Sequence, residues 1–411
     1  MTVSRCARCN AVALFILLAS TAVAADVVTD ANAKTADFIA AAKLAHNGAN
    51  YRAAAIVQVA VFEAVNAVTG RFPNARLKLG PAPGASIEAA VLSATRSALV
   101  TLTPSQQARV EAWYAEALAA VPESPAKAAG IALGGKAAAG VLALRADDGS
   151  NLPETWKPAT IPAVYVATPL PLMTQWGKRR PWVLARPDQL RPGPPPSLTS
   201  ETWARDFNEI KALGARNSAA RTAEQTAAAR FWEASAPPIY FGIVRSFASA
   251  PGRDVGENAR LYAAIAMAMD DALVAVMDAK YTYKLWRPIT AIRNADRTQN
   301  PATEGDPGWL PFIETPQHPE YPCAHCIVAS AVATVLEAAM GDAPAKLSAT
   351  SATLPGAVRS WSKPSELVAE VSEARICDGV HYRNSTVVGA EMGRKLGQLV
   401  VAKEFQPAAR P

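Results

Sequence analysis

Histidine, cysteine and aromatic residues are scarce in this chain of 411 residues, which contains only four histidines and five cysteines. Aromatic side chains make up 7% of the residues, whereas half of the residues are hydrophobic and alanine is abundant, a composition that favours packed helices over sheets. The sequence has no run of Lys or Arg and no basic residues interleaved with aromatics, which argues against nucleic-acid binding. Because the formal net charge is only +6, any function of cations should be local.

The N-terminus has the pattern of a secretory signal peptide. Two arginines precede a short apolar stretch over residues 11–19, and an Ala-Val-Ala sequence that ends at residue 24 is a small-residue cleavage site. The apolar stretch is too short to span a bilayer, so a retained membrane anchor is the less favoured alternative. We expect residues 1–24 to be removed, and a single soluble domain of residues 25–411, without a membrane span, to be periplasmic or secreted.

Apolar residues recur at helical spacing over much of the chain, and no series of alternating strands is evident. The sequence therefore predicts a mainly α fold, a helical bundle with long Pro-rich loops. Residues 147–200 are rich in proline and tryptophan and have no clear period, so they form either a segment that covers a site or a wrap around the surface. Helical patterns extend over residues 50–68, 125–144, 201–213, 222–234, 255–279, 326–340, 365–376 and 386–403.

Three of the four histidines lie in the C-terminal part of the chain, close to an unusual pair of cations. Lys280 and Arg287 are seven residues apart, which is two helical turns, so we expect both on one face of a helix that ends near Pro288. Two cations on one face suit an anion with several oxygens, which Arg287 can bind bidentately while Lys280 acts as a point charge. Taken alone, this pair is better explained as a solvated basic helix face.

Two further segments point to the same chemistry. A proline-rich loop over residues 318–326 leads into an apolar helical run, and His325 lies at the expected start of that helix. Unpaired backbone N–H groups favour an anion there, and His325 can exchange protons with it. Farther along, Arg375 and His381 are separated by a glycine that permits a turn between them. Together the segments predict a buried oxyanion site, for vanadate or phosphate, within residues 280–389.

In order, the segments read Lys, six residues, Arg-Pro; then Pro-x-x-His; then Arg, five residues, His. This ordered pattern resembles the vanadium-dependent haloperoxidases and the related phosphatidic acid phosphatase type 2 superfamily. The continuation after His381 resembles the bacterial haloperoxidase-like branch, and the lipid phosphatase pattern usually has Asp where this chain has Ser385. The resemblance implies a helical bundle of that family's type, and related haloperoxidases often form oligomers.

The resemblance also implies a role for each site residue. The cations of the first and third segments would neutralise the oxygens of bound vanadate or phosphate. His381 would be the axial ligand of the vanadium, or the nucleophile that accepts a phosphoryl group, and His325 would be the general acid–base. His318 lies seven residues before His325, where brominating members of the family also have His, so it is a further catalytic candidate.

The second segment departs from the family pattern, which usually reads Pro-Ser-Gly-His. This chain has Cys323 and Ala324 before His325. Ala324 retains the backbone N–H that can donate to the anion, whereas Cys323 replaces a hydroxyl donor with a weak S–H donor. Both are candidate cofactor-binding residues, and the loss of one hydrogen bond to a charged oxygen costs about 1.5–3 kcal/mol of affinity.

Three functions fit such a site. The favoured one is a vanadate-dependent haloperoxidase that oxidises a halide with hydrogen peroxide. The second is an acid phosphatase that hydrolyses a phosphoester through a phosphohistidine at His381. The third is a non-catalytic anion-binding protein.

The cysteines support a rival interpretation. After signal removal three remain, which allows at most one internal disulfide. Cys323 and Cys326 form a CxxC that, with Cys377 and His381, suggests a zinc site or a redox pair. Three nearby cations would oppose a dication, so zinc is disfavoured. A disulfide between Cys326 and Cys377 is a purely structural explanation.

Overall fold

The computed structural model of the protein describes residues 26–406, except 74, 168, 235–236 and 342–345. The predicted signal peptide, residues 1–24, therefore lies outside the described residues. The described part of the chain contains thirteen α-helices and one two-stranded sheet, so the prediction of a mainly α fold is confirmed. The elements, in chain order, are α1 (Val27–Ala42), α2 (Asn47–Thr69), α3 (Ile87–Leu102), α4 (Gln107–Ala119), α5 (Pro125–Leu144), α6 (Glu201–Leu213), α7 (Ala223–Phe231), α8 (Pro237–Ala248), α9 (Val255–Tyr283), α10 (Pro288–Arg293), α11 (Ala324–Met340), β1 (Leu347–Ser351), β2 (Leu354–Trp361), α12 (Pro364–Cys377) and α13 (Arg383–Glu404).

Local sequence signals set the start of several helices. Ser124 caps α5 by accepting a backbone hydrogen bond, and Pro125 follows as the first helical residue. Ser200 caps α6 in the same way, and the carboxylate of Asp254 caps the long helix α9. These caps satisfy backbone donors that have no partner inside the helix. As a result, α6 has the predicted bounds, and the helix that carries Lys280 starts where the pattern indicates.

Helix α9 lies at the centre of the bundle. It packs against α2, α11 and α13, while α11 and α13 form an extensive contact with each other. Small residues allow these helices to approach closely: a Cβ atom added at Gly389 of α13 would lie 2.6 Å from the backbone oxygen of Cys323. The packing therefore brings the end of α9, the start of α11 and the segment between α12 and α13 close together.

The hairpin of β1 and β2 was not predicted from the sequence, and neither were helices α8 and α10. The strands are antiparallel, with Leu347 opposite Trp361, and β1 packs against α8. Only alternate residues of β1 are buried, over a length of five residues. An alternation this short does not stand out from a helical background.

The Pro-rich segment after α5 is fastened to α9 by buried polar contacts. Arg179 donates to both carboxylate oxygens of Asp270 at 2.7 and 3.1 Å, and also to Asp148 at 3.0 Å. The carboxylate of Asp271 accepts three backbone N–H groups of residues 182–184. The segment is thus part of the folded core, and Met173 reaches the cavity described below.

Two described helices, α2 and α5, are long and apolar enough to cross a membrane by length and composition alone. Helix α2 is mostly buried inside the bundle, as a core helix of a folded domain would be. Helix α5 packs against α3 and leaves its other face exposed.

Candidate active site

A cavity of about 250 Å³ lies where the end of α12, the start of α11 and the loop before α11 meet. Its wall combines polar groups on one side with apolar side chains of α9 and the Pro-rich segment. Four of the predicted site residues, and the predicted N–H donor Ala324, contribute to it. The lining residues are Asn47, Tyr51, Met173, Glu233, Leu273, Met277, Ile313, Glu314, Pro316, His318, Ala324, His325, Arg375 and His381.

Lys280 and Arg287 converge on the site by a route different from the predicted one. Helix α9 ends at Tyr283, and Lys284 adopts the left-handed conformation with φ 54°. Arg287 therefore lies outside α9, in extended backbone before α10, and the prediction that both cations share one helix face is wrong. The expected end of the helix near Pro288 is also too late, because the left-handed residue ends it first.

The loop before α11 holds both cations. The Lys280 ammonium donates to the backbone oxygens of Pro319 and Glu320, at 2.8 and 2.7 Å. The Arg287 guanidinium donates to the backbone oxygens of His318 and Val380, at 2.9 and 2.8 Å. Both side chains are almost fully buried. Backbone carbonyls thus fix the positions of the cations without neutralising their charge.

Arg375 lies in the last turn of α12, and its side chain is fully buried. Its Nη1 atom donates to the backbone oxygen of Trp232 at 3.0 Å and to the carboxylate of Asp378. Its Nε and Nη2 atoms have no hydrogen-bond partner. Since a guanidinium carries five N–H donors, three donors of Arg375 remain for a ligand.

The turn between Arg375 and His381 forms as predicted. Gly379 has φ 80°, a conformation that favours glycine, and a Cβ there would lie 2.4 Å from the backbone oxygen of Gly214. The turn places His381 with its Nδ1 atom 2.8 Å from the Glu320 carboxylate and its Nε2 atom 3.4 Å from Nη1 of Arg287. Arg375 and His381 therefore line the same cavity.

The other two predicted histidines also face the cavity. His325 lies in the first turn of α11, and its Nε2 atom is buried without a partner. His318 is half-buried, and its Nδ1 atom lies 3.1 Å from Nη2 of Arg287. Burial, followed by the nearby cations, holds the pKa values of His318, His325 and His381 well below the usual histidine range. All three rings are therefore neutral in the protein without ligand.

The electrostatics of the cluster favour an anion. Burial, and then the charge of Arg287, holds the pKa of Lys280 well below its ordinary value. Burial also lowers the pKa of Arg287 to about 10, although the carboxylate of Glu320 opposes this shift. The pKa of Arg375 is lowered by burial as well, against the attraction of Asp378. A bound anion would recover part of the free energy that burial of these cations costs.

The cysteines behave differently from the expectations. Cys323 is bonded to Cys326, and Cys377 is a buried free thiol whose pKa burial raises to about 11. The suggested pairing of Cys326 with Cys377 is therefore wrong, because Cys323 and Cys326 are only 5.4 Å apart between Cα atoms in the first turn of α11. The predicted S–H donor of Cys323 is also wrong, since a disulfide sulfur has no proton to donate.

The zinc interpretation finds no ligand set. Among the residues that the structure describes, no group of three or more His, Cys, Asp or Glu side chains could hold a metal ion. His381 is instead surrounded by Glu320, Ser385 and Arg287.

Two carboxylates that contact His381 or Arg375 were not singled out from the sequence. Glu320 contacts His381, and burial raises its pKa to about 7 in spite of the nearby Lys280 and Arg287. Asp378 pairs with Arg375, and burial raises its pKa to about 7 as well. Each lies within or beside a motif that the analysis singled out, so proximity to the motif was the one available signal.

The chain is similar to known proteins in its fold and in one helical domain. Residues 260–408 match the family model of the VCPO second helical-bundle domain. No curated protein matches the chain. A solved bacterial vanadium-dependent iodoperoxidase is similar, with a TM-score of 0.78 and 23% sequence identity over 93% of this chain and 97% of that chain. A bacterial vanadium-dependent chloroperoxidase in its holo form has a TM-score of 0.73 and 15% identity over 88% and 92% of the two chains.

These likenesses show that the chain has the fold of the bacterial vanadium haloperoxidases. The match over residues 260–408 covers all three sequence segments. The resemblance to the vanadium haloperoxidase superfamily, inferred from those segments, is thereby confirmed for the part of the chain that carries the site.

Proposed function

We propose that this protein is an exported, vanadate-dependent haloperoxidase that oxidises a halide with hydrogen peroxide. The observation that carries the proposal is the set of unpartnered polar atoms at the cavity, namely Nε and Nη2 of Arg375 and Nε2 of His325. Buried polar atoms are normally hydrogen-bonded, so exceptions of this kind indicate a missing partner. A tetrahedral oxyanion supplies several acceptors for the free N–H donors of Arg375, and a protonated oxygen of the same anion can donate to Nε2 of His325, so this set of atoms fits vanadate.

Some of the site residues would bind the charged oxygens of vanadate, and one would transfer protons. Lys280, Arg287 and Arg375 would hold the oxygens of vanadate, and Nε2 of His381 would be its protein ligand. Bound vanadate would supply a Lewis-acid centre that activates hydrogen peroxide towards a halide. His325 is neutral and buried, so its Nε2 atom is ready to accept a proton from hydrogen peroxide.

The site assignment is tested by vanadate binding. We expect the purified protein to bind vanadate in equilibrium dialysis and the variant His381→Ala to lose this binding. The matched control is His46→Asn, because His46 is the one histidine outside the cavity, and Asn preserves its role as the N-cap of α2. Tight binding by His381→Ala would refute the assignment.

The reaction is tested with three halides. The similarity to an iodoperoxidase makes iodide the first halide to assay, followed by bromide and chloride. We expect dye halogenation that requires both vanadate and hydrogen peroxide. Export, which the N-terminal pattern supports, is tested by locating the processed chain after cell fractionation.

Phosphoester hydrolysis is the second candidate, and two side chains favour it. Met173 and Met277 line the cavity, and the thioether of Met is readily oxidised to the sulfoxide. A hypohalous acid formed beside them would attack these thioethers, whereas a phosphoester would not. In this reaction Nε2 of His381 would attack phosphorus as the P–O bond to the ester oxygen breaks, and that oxygen would take the proton of the phosphomonoester monoanion. Water would then cleave the P–N bond of the phosphohistidine and release phosphate. Hydrolysis of a phosphomonoester without vanadate, and no halogenation with it, would establish this alternative.

A further inference from the structure

Within the described ranges, Glu320 is the one carboxylate that contacts the ring of His381. Its Oε1 atom lies 2.8 Å from Nδ1 of His381 and also accepts the backbone N–H of Tyr382 at 3.1 Å. The side chains of Glu320 and His381 are both buried, with 0% and 1% exposure, so water does not compete for this contact. The two residues are 61 positions apart in the chain.

We propose that Glu320 is a positioning residue that holds His381 with its proton on Nδ1 and leaves Nε2 unprotonated for the ligand. The inference rests on the proposed oxyanion site. It applies whether Nε2 binds vanadium or attacks phosphorus, because both reactions need a lone pair on that atom.

The neighbours of the ring decide the tautomer independently on its two sides. A carboxylate is an acceptor, so a proton on Nδ1 of His381 satisfies Glu320. A guanidinium is a donor only, so Arg287, whose Nη1 atom is 3.4 Å from Nε2, requires a lone pair on Nε2. In the opposite tautomer the N–H on Nε2 would face the N–H of Arg287. Nδ1 would then present a lone pair to the carboxylate of Glu320, which has no proton to donate.

Lys280 reinforces this arrangement through the backbone. Its ammonium donates to the backbone oxygens of Pro319 and Glu320, which fixes the peptide that carries the carboxylate. The same loop also accepts the hydrogen bond of Arg287 at the backbone oxygen of His318. The loop before α11 therefore fixes Lys280, Arg287 and Glu320 relative to one another, which limits reorientation of the His381 ring.

The carboxylate comes from a different segment than the lipid phosphatase pattern suggests. The lipid phosphatase pattern has Asp four residues after the histidine, where this chain has Ser385. Ser385 nevertheless lies beside the ring, with its Oγ atom 3.5 Å from Nδ1 of His381. A carboxylate at position 385 would reach the same nitrogen. The phosphatase pattern could thus supply the acceptor from α13, whereas in this chain Glu320 supplies it from the loop before α11.

The first experiment observes the tautomer directly in the protein without vanadate. Long-range ¹H–¹⁵N correlations of histidine-labelled protein distinguish protonated from unprotonated ring nitrogens, and single substitutions assign the few signals, since the chain has only four histidines. We expect His381 to carry its proton on Nδ1. A proton on Nε2 would overturn the proposal.

The second experiment moves the carboxylate. Glu320→Gln should weaken vanadate binding by about 10- to 100-fold, the usual effect of losing a residue that orients a metal-binding histidine. Adding Ser385→Asp to Glu320→Gln should recover at least half of that loss on a logarithmic scale. The control Glu304→Gln removes an exposed carboxylate that does not line the cavity, and it should bind vanadate as the wild type does.

The outcomes separate this inference from the proposed function. Unchanged affinity in Glu320→Gln, or no recovery in the double variant, would overturn the positioning role and leave the oxyanion site intact. A wild-type protein that binds no vanadate, but has the Nδ1-protonated His381 in its spectrum, would refute the proposed cofactor while the positioning role of Glu320 stands.

Discussion

Two clusters of largely buried cations in the described part of the chain differ in what surrounds them. The first, here called the loop cluster, fastens the Pro-rich segment to α9 and consists of Arg52, Arg145, Arg179, Asp148 and Asp270. The second, here called the cavity cluster, surrounds the candidate active site and consists of Lys280, Arg287, Arg375, Glu320 and Asp378.

In the loop cluster the carboxylates contact the guanidinium groups directly. Asp148 accepts from Arg52 at 2.8 Å, from Arg145 at 3.1 Å and from Arg179 at 3.0 Å. Burial alone would raise the pKa of Asp148, but Arg179 and Arg52 outweigh it and hold that pKa far below its ordinary value. The pKa of Arg179 is raised for the converse reason, and only its Nε atom lacks a partner.

In the cavity cluster direct pairing is incomplete. Lys280 and Arg287 donate to backbone oxygens, while Oε1 of Glu320 accepts from Tyr382 and contacts His381. All three cations have lowered pKa values, and both carboxylates have raised ones.

The two clusters contain similar charges, so composition alone does not distinguish them. What differs is whether folding itself provides the counter-charge. Where it does, the cluster stabilises the fold; where it does not, the unmet donors indicate a ligand.

The largest effect on stability should come from breaking the loop cluster. Arg179→Met would leave two buried carboxylates without their shared partner, and we expect the free energy of unfolding to fall by about 3–5 kcal/mol in urea denaturation. The control Arg186→Met removes an exposed arginine of the same segment, paired with exposed Asp188, and should change stability by less than about 1 kcal/mol. Equal effects of the two variants would contradict the comparison.

A pH titration sharpens the description of the loop segment. Burial raises the pKa of Asp271 to about 6, although three backbone N–H groups favour its charged form. An acid with a raised pKa in the folded state stabilises the protein at low pH, and this contribution is lost as the pH rises from about 4 to about 6.

The expected size of that loss is about 3 kcal/mol, from the shift of the pKa between 3.8 and about 6. The free energy of unfolding, measured in urea, should therefore decrease less between pH 4 and pH 6.5 for Asp271→Asn than for the wild type, because Asn does not titrate. Parallel pH profiles for the two proteins would show that the Asp271 carboxyl is not responsible.

The smallest effect on stability, but a clear effect on binding, should come from Arg375. Arg375→Met leaves Asp378 unpaired, yet the pKa of Asp378 is already about 7, so this carboxyl can take up a proton. We expect a loss of stability of only about 1 kcal/mol, within the range for an unsatisfied buried group.

Vanadate binding by Arg375→Met should be weakened more than its stability. Loss of hydrogen bonds to a charged oxygen corresponds to at least a tenfold weaker affinity for vanadate. Vanadate should raise the Tm of the wild type and much less that of Arg375→Met. If Arg375→Met lost as much stability as Arg179→Met, but vanadate still raised its Tm as it raises that of the wild type, the roles assigned to the two clusters would be reversed.

Much of the architecture was predictable from local sequence. Pro125 after Ser124 marks the start of α5, and the helical pattern of residues 201–213 gives both ends of α6. Gly379 permits the turn that brings Arg375 and His381 to one cavity. These signals are reliable because caps, turns and helical periodicity depend on neighbours within a few residues.

Other features depend on distant contacts. The end of α9 at Tyr283 follows from the left-handed Lys284, whose backbone oxygen accepts a hydrogen bond from Tyr165 of the Pro-rich segment. The pairing of Cys323 with Cys326 is local by contrast, three residues apart at the start of α11, but the CxxC pattern alone did not distinguish it from a zinc or redox site.

The ordered spacing of Lys280, Arg287, His325, Arg375 and His381 was thus sufficient to predict an oxyanion site. Only the tertiary structure decided which of their N–H groups are bonded within the protein and which remain for a ligand. It also selected Glu320 as the partner of His381, across 61 residues. The physical reason is that spacing determines where side chains start along a helix or turn, whereas hydrogen-bond partners and the pKa values that follow from them are determined by packing between segments far apart in the chain.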